Sequence, residues 1–169
     1  LIRRGGSDPA GRFSLPDGPA MHTVVLAGHV LDADTTKGTA QMTRLDRLRA
    51  RMAQEGVDLV VLAPGAHMGW LLDVHPHADE RPLLACITAQ HAGFLMPALE
   101  CESAAKQTDL PFYPWGDAEG PQAAFEQLLT DFGVGAARAF ALDECMRADH
   151  AALVQDRLLN ARRLFSDST

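Results

Sequence analysis

The chain has 169 residues, 47% hydrophobic and 22% charged, enough for one globular domain that needs neither disulfides nor a structural metal. Fifteen Lys and Arg against 22 Asp and Glu give a net charge of -7, and this acidic balance without a basic run argues against nucleic acid as a partner. Cys86, Cys101 and Cys145 are too scattered for a disulfide framework, no apolar stretch nears the roughly 18 residues of a membrane span, and no secretion signal is present, so a cytoplasmic domain is expected.

Residues 1–20 are dense in Gly, Pro, Asp and Arg and show neither helical nor strand periodicity. With the loop-like stretch 32–41 they read as disordered, or as translation from upstream of the true start, at Met21 or Met42. Residues 1–41 are thus expected outside the fold, with 23–31 (TVVLAGHVL) the one short strand candidate among them. From 43 the pattern sharpens. Leu45, Leu48 and Met52 share one face of a helix over 43–55 that Gly56 stops. Residues 58–63 form a continuous apolar run closed by Pro64-Gly65, as in a strand buried on both faces.

Trp70-Leu71-Leu72 is a second, short strand candidate. Residues 82–88 and 93–97 read as a hairpin joined over 89–92. A small helix over 100–107 precedes a strand at 112–115, confined to an edge by Pro111 and Pro114. Pro121 opens a helix whose buried face holds Phe125, Leu128, Leu129 and Phe132, and Gly133 ends it. A strand over 139–142 and a largely helical stretch over 146–164 complete the order, and the chain reads as cut at a domain boundary after that helix. The expected class is α/β, a mixed sheet flanked by helices.

The densest polar cluster is Asp73, His75, His77, Asp79, Glu80 and Arg81. His75-x-His77-x-Asp79 is similar to a metal-binding loop of metallo-β-lactamase-like hydrolases, with further ligands from His91 or His150. The signature is incomplete: Glu80 stands where a further His belongs, and an apolar strand follows in place of a helix. The same residues read first as a solvated polar loop between two strands, with a loop contacting a ligand or a neighbouring chain as a third reading. No phosphate loop or nucleophile elbow occurs. Asp143-Glu144 and the pair Asp117/Glu119 read as helix-start or surface carboxylates, and Trp70 and Trp115 as core or interface aromatics. No catalytic apparatus is visible.

The order of features carries more. Residues 44–52 (RLDRLRARM), Glu55-Gly-Val-Asp58-Leu-Val-Val61, Ala63-Pro64, Trp70-Leu71-Leu72 and Glu80-Arg81-Pro82 stand in sequence. They are followed by residues 94–100 (FLMPALE), 115–121 (WGDAEGP) and Ala141-Leu-Asp143-Glu144. Together they resemble the creatinase/prolidase N-terminal domain over 43–165. The resemblance implies a mixed sheet flanked by helices that precedes a metal-dependent catalytic domain of the Xaa-Pro aminopeptidase and dipeptidase type. It implies no catalytic or metal residue in this chain, since the family's two divalent ions (Mn, Co or Zn) belong to a C-terminal catalytic domain absent here. It implies as partners that domain, a second subunit of a homodimer, and a proline-containing peptide. The loop with Trp70, Asp73, His75, His77 and Arg81 becomes the candidate substrate-facing or interface surface, with Arg81 either a fixed charge for a peptide carboxylate or an ion-pair partner within its own domain. Where most relatives carry Gly after the aromatic-Leu-x stretch, this chain has Asp73.

Overall fold

A computed structural model describes residues 12–14 and 42–167. Helix α1 (Arg44–Glu55) begins at a reciprocal cap. Thr43 Oγ1 accepts the Asp46 N–H at 3.1 Å, and Asp46 Oδ2 accepts the Thr43 N–H at 3.0 Å. Gly56 ends it in the left-handed region at φ 66°, where glycine has no Cβ to clash. The apolar run that follows becomes β2 (Leu59–Leu62), buried throughout.

Residues 70–72, expected as a strand, instead close the helix α2 (Ala66–Leu72). Three apolar residues carry no period of their own, and Met68 and Leu71, spaced i and i+3, bury one helical face. The hairpin β3 (Leu84–Ile87) and β4 (Ala92–Pro97) is antiparallel as expected. Thr88 closes it, its N–H donating to His91 O and its Oγ1 accepting the His91 N–H, both at 2.9 Å. Next come α3 (Ala98–Ala104), β5 (Phe112–Trp115), α4 (Gln122–Asp131) and β6 (Ala139–Leu142).

The stretch read as helical over 146–164 divides into α5 (Ala148–Gln155) and β7 (Arg162–Asp167). Leu158 is buried but Leu159 is 80% exposed, so the apolar stripe breaks there and the chain re-enters the sheet beside β6. A strand β1 (Arg12–Ser14) also forms inside the segment expected outside the fold, paired with β7. Its three residues are too few to show an alternation. The strand candidate at 23–31 lies outside the described residues.

Among the described residues the strands form one seven-stranded sheet in the order β1-β7-β6-β2-β3-β4-β5. The β2–β3 and β3–β4 pairs are antiparallel and the others parallel, so the sheet is mixed. Strand alternation divides the core in two. Val60, Leu62, Ala85, Ile87, Phe94 and Met96 face α1, α2 and α3. Leu59, Val61, Leu84, Cys86, Phe140 and Leu142 face α4 and α5.

Asp58 ties the start of β2 to β6. Its Oδ2 accepts the N–H of Arg138 at 2.7 Å and of Ala139 at 3.3 Å, and the Arg138 guanidinium lies 3.5 Å away. Partial burial pushes this carboxyl up, but the two N–H donors and the guanidinium outweigh it and hold the pKa below the ordinary 3.8. A folded value below the unfolded one means the contribution is complete above pH 3.8 and is lost as pH falls through the folded value. Asp58→Asn is accordingly expected to cost about 1 kcal/mol at neutral pH. The gap from wild type should narrow in urea unfolding below pH 3.8.

Candidate functional site

Two parallel neighbours, β2 and β6, send their following helices to opposite faces: α2 joins the first core and α5 the second. The carboxyl ends of such strands form the crevice in which open α/β sheets place their sites. His67 and Asp143 sit at that divergence. Asp143 is 2% exposed, and its Oδ1 lies 3.2 Å from His67 Nδ1 and accepts the Cys145 N–H at 3.1 Å. It therefore joins α2 to the loop after β6, rather than merely starting a helix. The sequence signal was a carboxylate directly behind an apolar strand; its partner 76 positions earlier had none.

The loop 73–82 crosses the same end of the sheet and is fastened on three sides. Glu80 O lies 3.2 Å from the buried His150 Nε2 on α5. Pro82 O accepts the Trp115 indole N–H at 3.0 Å. Arg81 donates to Asp79 Oδ2 at 2.9 Å and to Glu100 Oε1 on α3 at 3.1 Å. The Arg81 backbone N–H and guanidinium hold the Asp79 carboxyl below the ordinary carboxylate range. Arg81 is thus paired within its own domain, and its charge organises the loop.

Trp70 is half-buried, with the Arg44 guanidinium 5.2 Å from its ring centroid and donating to its carbonyl. The His75 ring lies on Gly69, where a Cβ would stand 2.5 Å from His75 Cε1, and its backbone N–H donates to Gln107 Oε1 at 3.1 Å. A cleft of about 290 Å³ opens between this loop and α3, lined by His75, His77, Met96, Glu100, Ser103 and Gln107. His75 and His77 are exposed there.

The alternative metal loop does not assemble. Among the described residues no three His, Cys, Asp or Glu side chains come together as a metal site. Asp79 is engaged by Arg81, and His150 is buried against Glu80. His91 belongs to the hairpin turn at the opposite end of the sheet, stacked on Phe132 with centroids 5.3 Å apart. As they stand, His75, His77 and Asp79 do not converge on one point with His91 or His150.

Asp73 caps α2 at φ 56° and ψ 31°, the only positive φ of a non-glycine among the described residues. The left-handed turn expected of Gly is kept, with the cost carried by Asp. Asp73→Gly should therefore raise stability by roughly 0.5 kcal/mol, the relief of φ being partly offset by the freer unfolded chain, and Asp73→Val should lower it by about 1 kcal/mol. Thermal melts of the two variants check the sign.

The profile of the Creatinase/Prolidase N-terminal domain matches residues 44–166. The chain belongs to this family. Solved structures agree on the fold of this creatinase/prolidase N-terminal domain. It is similar to the corresponding domain of an X-Pro dipeptidase from Streptococcus pyogenes at 18% identity and TM-score 0.65, over 72% of this chain and 92% of that one. A recombinant prolidase from Thermococcus sibiricus matches at 16% identity and TM-score 0.64, over 76% of this chain but 35% of that one. Dipeptidase PepE from Mycobacterium ulcerans matches at 24% identity and TM-score 0.58, over 69% and 32%. No curated protein matches the sequence. Among the described residues no helix is long and apolar enough to cross a membrane.

Proposed function

We propose that this domain is the non-catalytic N-terminal domain of a Xaa-Pro peptidase, of prolidase or aminopeptidase P type. It covers the active site of a metal-dependent C-terminal domain and supports a homodimer. The observation that carries this reading is the family match over 44–166, together with a similar fold that forms about a third of the T. sibiricus prolidase chain. The surface offered to the active site is the loop from Trp70 to Arg81. It lies at the carboxyl ends of the strands and is held there by α3, α5 and Trp115. Arg81 positions that surface, while His75 and His77 are exposed at the cleft and are the side chains placed to meet a proline-containing peptide. The two divalent ions and the water they activate belong to the catalytic domain. Cys86, Cys101 and Cys145 are free thiols, which suits a cytoplasmic setting.

The test is hydrolysis of Xaa-Pro dipeptides with Mn or Co, by this chain alone and joined to a catalytic domain of the family. Activity is expected only in the joined protein, with His75→Ala/His77→Ala raising KM while metal content stays constant. Turnover by the isolated chain overturns the non-catalytic assignment. Stoichiometric zinc lost in His75→Ala supports a metallo-hydrolase instead, and unchanged KM removes the loop from the active site.

A further inference from the structure

Two helices end side by side at the amino ends of β2 and β6, the opposite end of the sheet from the loop 73–82. α1 closes at its cap Gly56 and α4 at its cap Phe132, and both caps line one cleft of about 430 Å³, a volume that suits a small ligand. The last carbonyls of a helix have no partner within it and carry the negative end of its dipole. A basic side chain commonly answers that charge, yet neither helix has one in its last turn. Arg49, one turn earlier in α1, donates instead to Thr88 O at 3.1 Å. Met52, Val57, Phe132 and Val134, all buried, give the cleft its apolar lining. Its wall carries one charge of each sign, Asp58 and Arg138. Asp58 Oδ2 is committed to two backbone N–H groups, while Oδ1 lies 3.5 Å from Arg138 Nη2, longer than a charged hydrogen bond. The Arg138 side chain is 85% exposed, so its guanidinium can turn toward a ligand at little cost.

We propose that this cleft binds a free α-amino acid with an apolar side chain. The ammonium group meets Asp58 Oδ1 and the carbonyl ends of α1 and α4, and the carboxylate meets the Arg138 guanidinium. The side chain covers Met52, Val57, Phe132 and Val134. A zwitterion is selected because either charge alone fits poorly. A simple amine must compete with Arg138 for Asp58, and a simple carboxylate faces two negative helix ends. An open cleft with solvent-facing charges holds the dissociation constant to the order of 1 mM.

Titration of the full chain with L-leucine, followed by the amide resonances of Gly56, Gln90, Gly133 and Arg138, tests this. These resonances are expected to shift together and saturate. L-leucinamide, which lacks the carboxylate, and 4-methylpentanoate, which lacks the ammonium, should each bind about tenfold more weakly. Ala53 lines the cleft from an exposed position on α1, so Ala53→Arg supplies the absent basic side chain there. It should abolish L-leucine binding without lowering the melting temperature. Arg138→Gln keeps the backbone N–H that Asp58 accepts, and should weaken L-leucine about tenfold while leaving L-leucinamide unchanged. Equal affinities for L-leucine and L-leucinamide overturn the proposal, as does L-leucine binding that survives Ala53→Arg. The absence of any shift at the cleft with L-leucine at about 10 mM overturns it too. Should Ala53→Arg disturb the fold, Arg138→Gln decides alone, and L-leucine binding unchanged in that variant overturns the proposal.

Discussion

Phe94→Ala is expected to destabilise the domain by about 3–5 kcal/mol, the range for removing a buried phenylalanine whose site does not collapse. The side chain is fully buried in β4, the second strand from the β5 edge, and stacks on Phe112 with centroids 5.7 Å apart. The pairing beneath is rigid: the Phe94 N–H donates to Pro111 O at 2.9 Å. The preceding residue, Gly93, has Pro111 O and Phe132 Cζ at 2.9 and 3.0 Å from where its Cβ would stand. β4 is therefore gripped on both faces and at its backbone, and it cannot shift to fill the void. At roughly 3–5 °C per kcal/mol for a domain of this size, the melting temperature should fall by about 10–20 °C. The control is Leu99→Ala on α3, a side chain 83% exposed, which should change stability by less than about 0.5 kcal/mol. If Phe94→Ala melted with Leu99→Ala, the first core would not be packed as described.

What made β4 legible was local. An apolar run between turn residues, paired with another run four residues earlier, specifies a hairpin without any distant information. α1 was legible for the same reason, since Thr43, the spacing of Leu48 and Met52, and Gly56 all lie within one helix length. The elements that escaped are those decided by distant partners. Trp70-Leu71-Leu72 is helical because Met68 and Leu71 pack on the sheet. Residues 162–167 are extended because β6 lies beside them, and β1 exists only through β7. The site divides along the same line. The polar loop was visible as a cluster of letters, but those letters left a solvated loop, a ligand- or chain-contacting loop and a metal loop all open. Asp79 pairs with Arg81 two residues on, and the distant Glu100 and His150 fix where the rest of the loop goes. His67 and Asp143 meet only because β2 and β6 are neighbours, a pairing no spacing in the chain reveals.

Trp115 is where fold and candidate site meet, and Trp115→Ala should cost about 3–5 kcal/mol. The residue ends β5, is 7% exposed and packs in the second core, while its indole N–H reaches the Pro82 carbonyl at 3.0 Å. Two contributions are therefore superposed, and Trp115→Phe separates them. Phe keeps most of the ring packing but leaves the Pro82 carbonyl without its donor, a loss of about 1 kcal/mol. The two variants should differ in a second respect. Pro82 follows Arg81, so releasing that carbonyl frees the junction between the fastened loop and β3. Hydrogen exchange over residues 79–83 should rise in Trp115→Phe by more than the loss of about 1 kcal/mol in global unfolding free energy accounts for. If the loop meets the substrate as proposed, the same variant in a protein that carries the catalytic partner should raise KM for Xaa-Pro dipeptides and leave kcat near wild type, since it would loosen a binding surface and touch no reacting atom. A fall in kcat with KM unchanged would place Trp115 nearer the chemistry than this geometry allows. Unchanged exchange over 79–83 would mean that Arg81, Asp79 and Glu100 hold the loop without it.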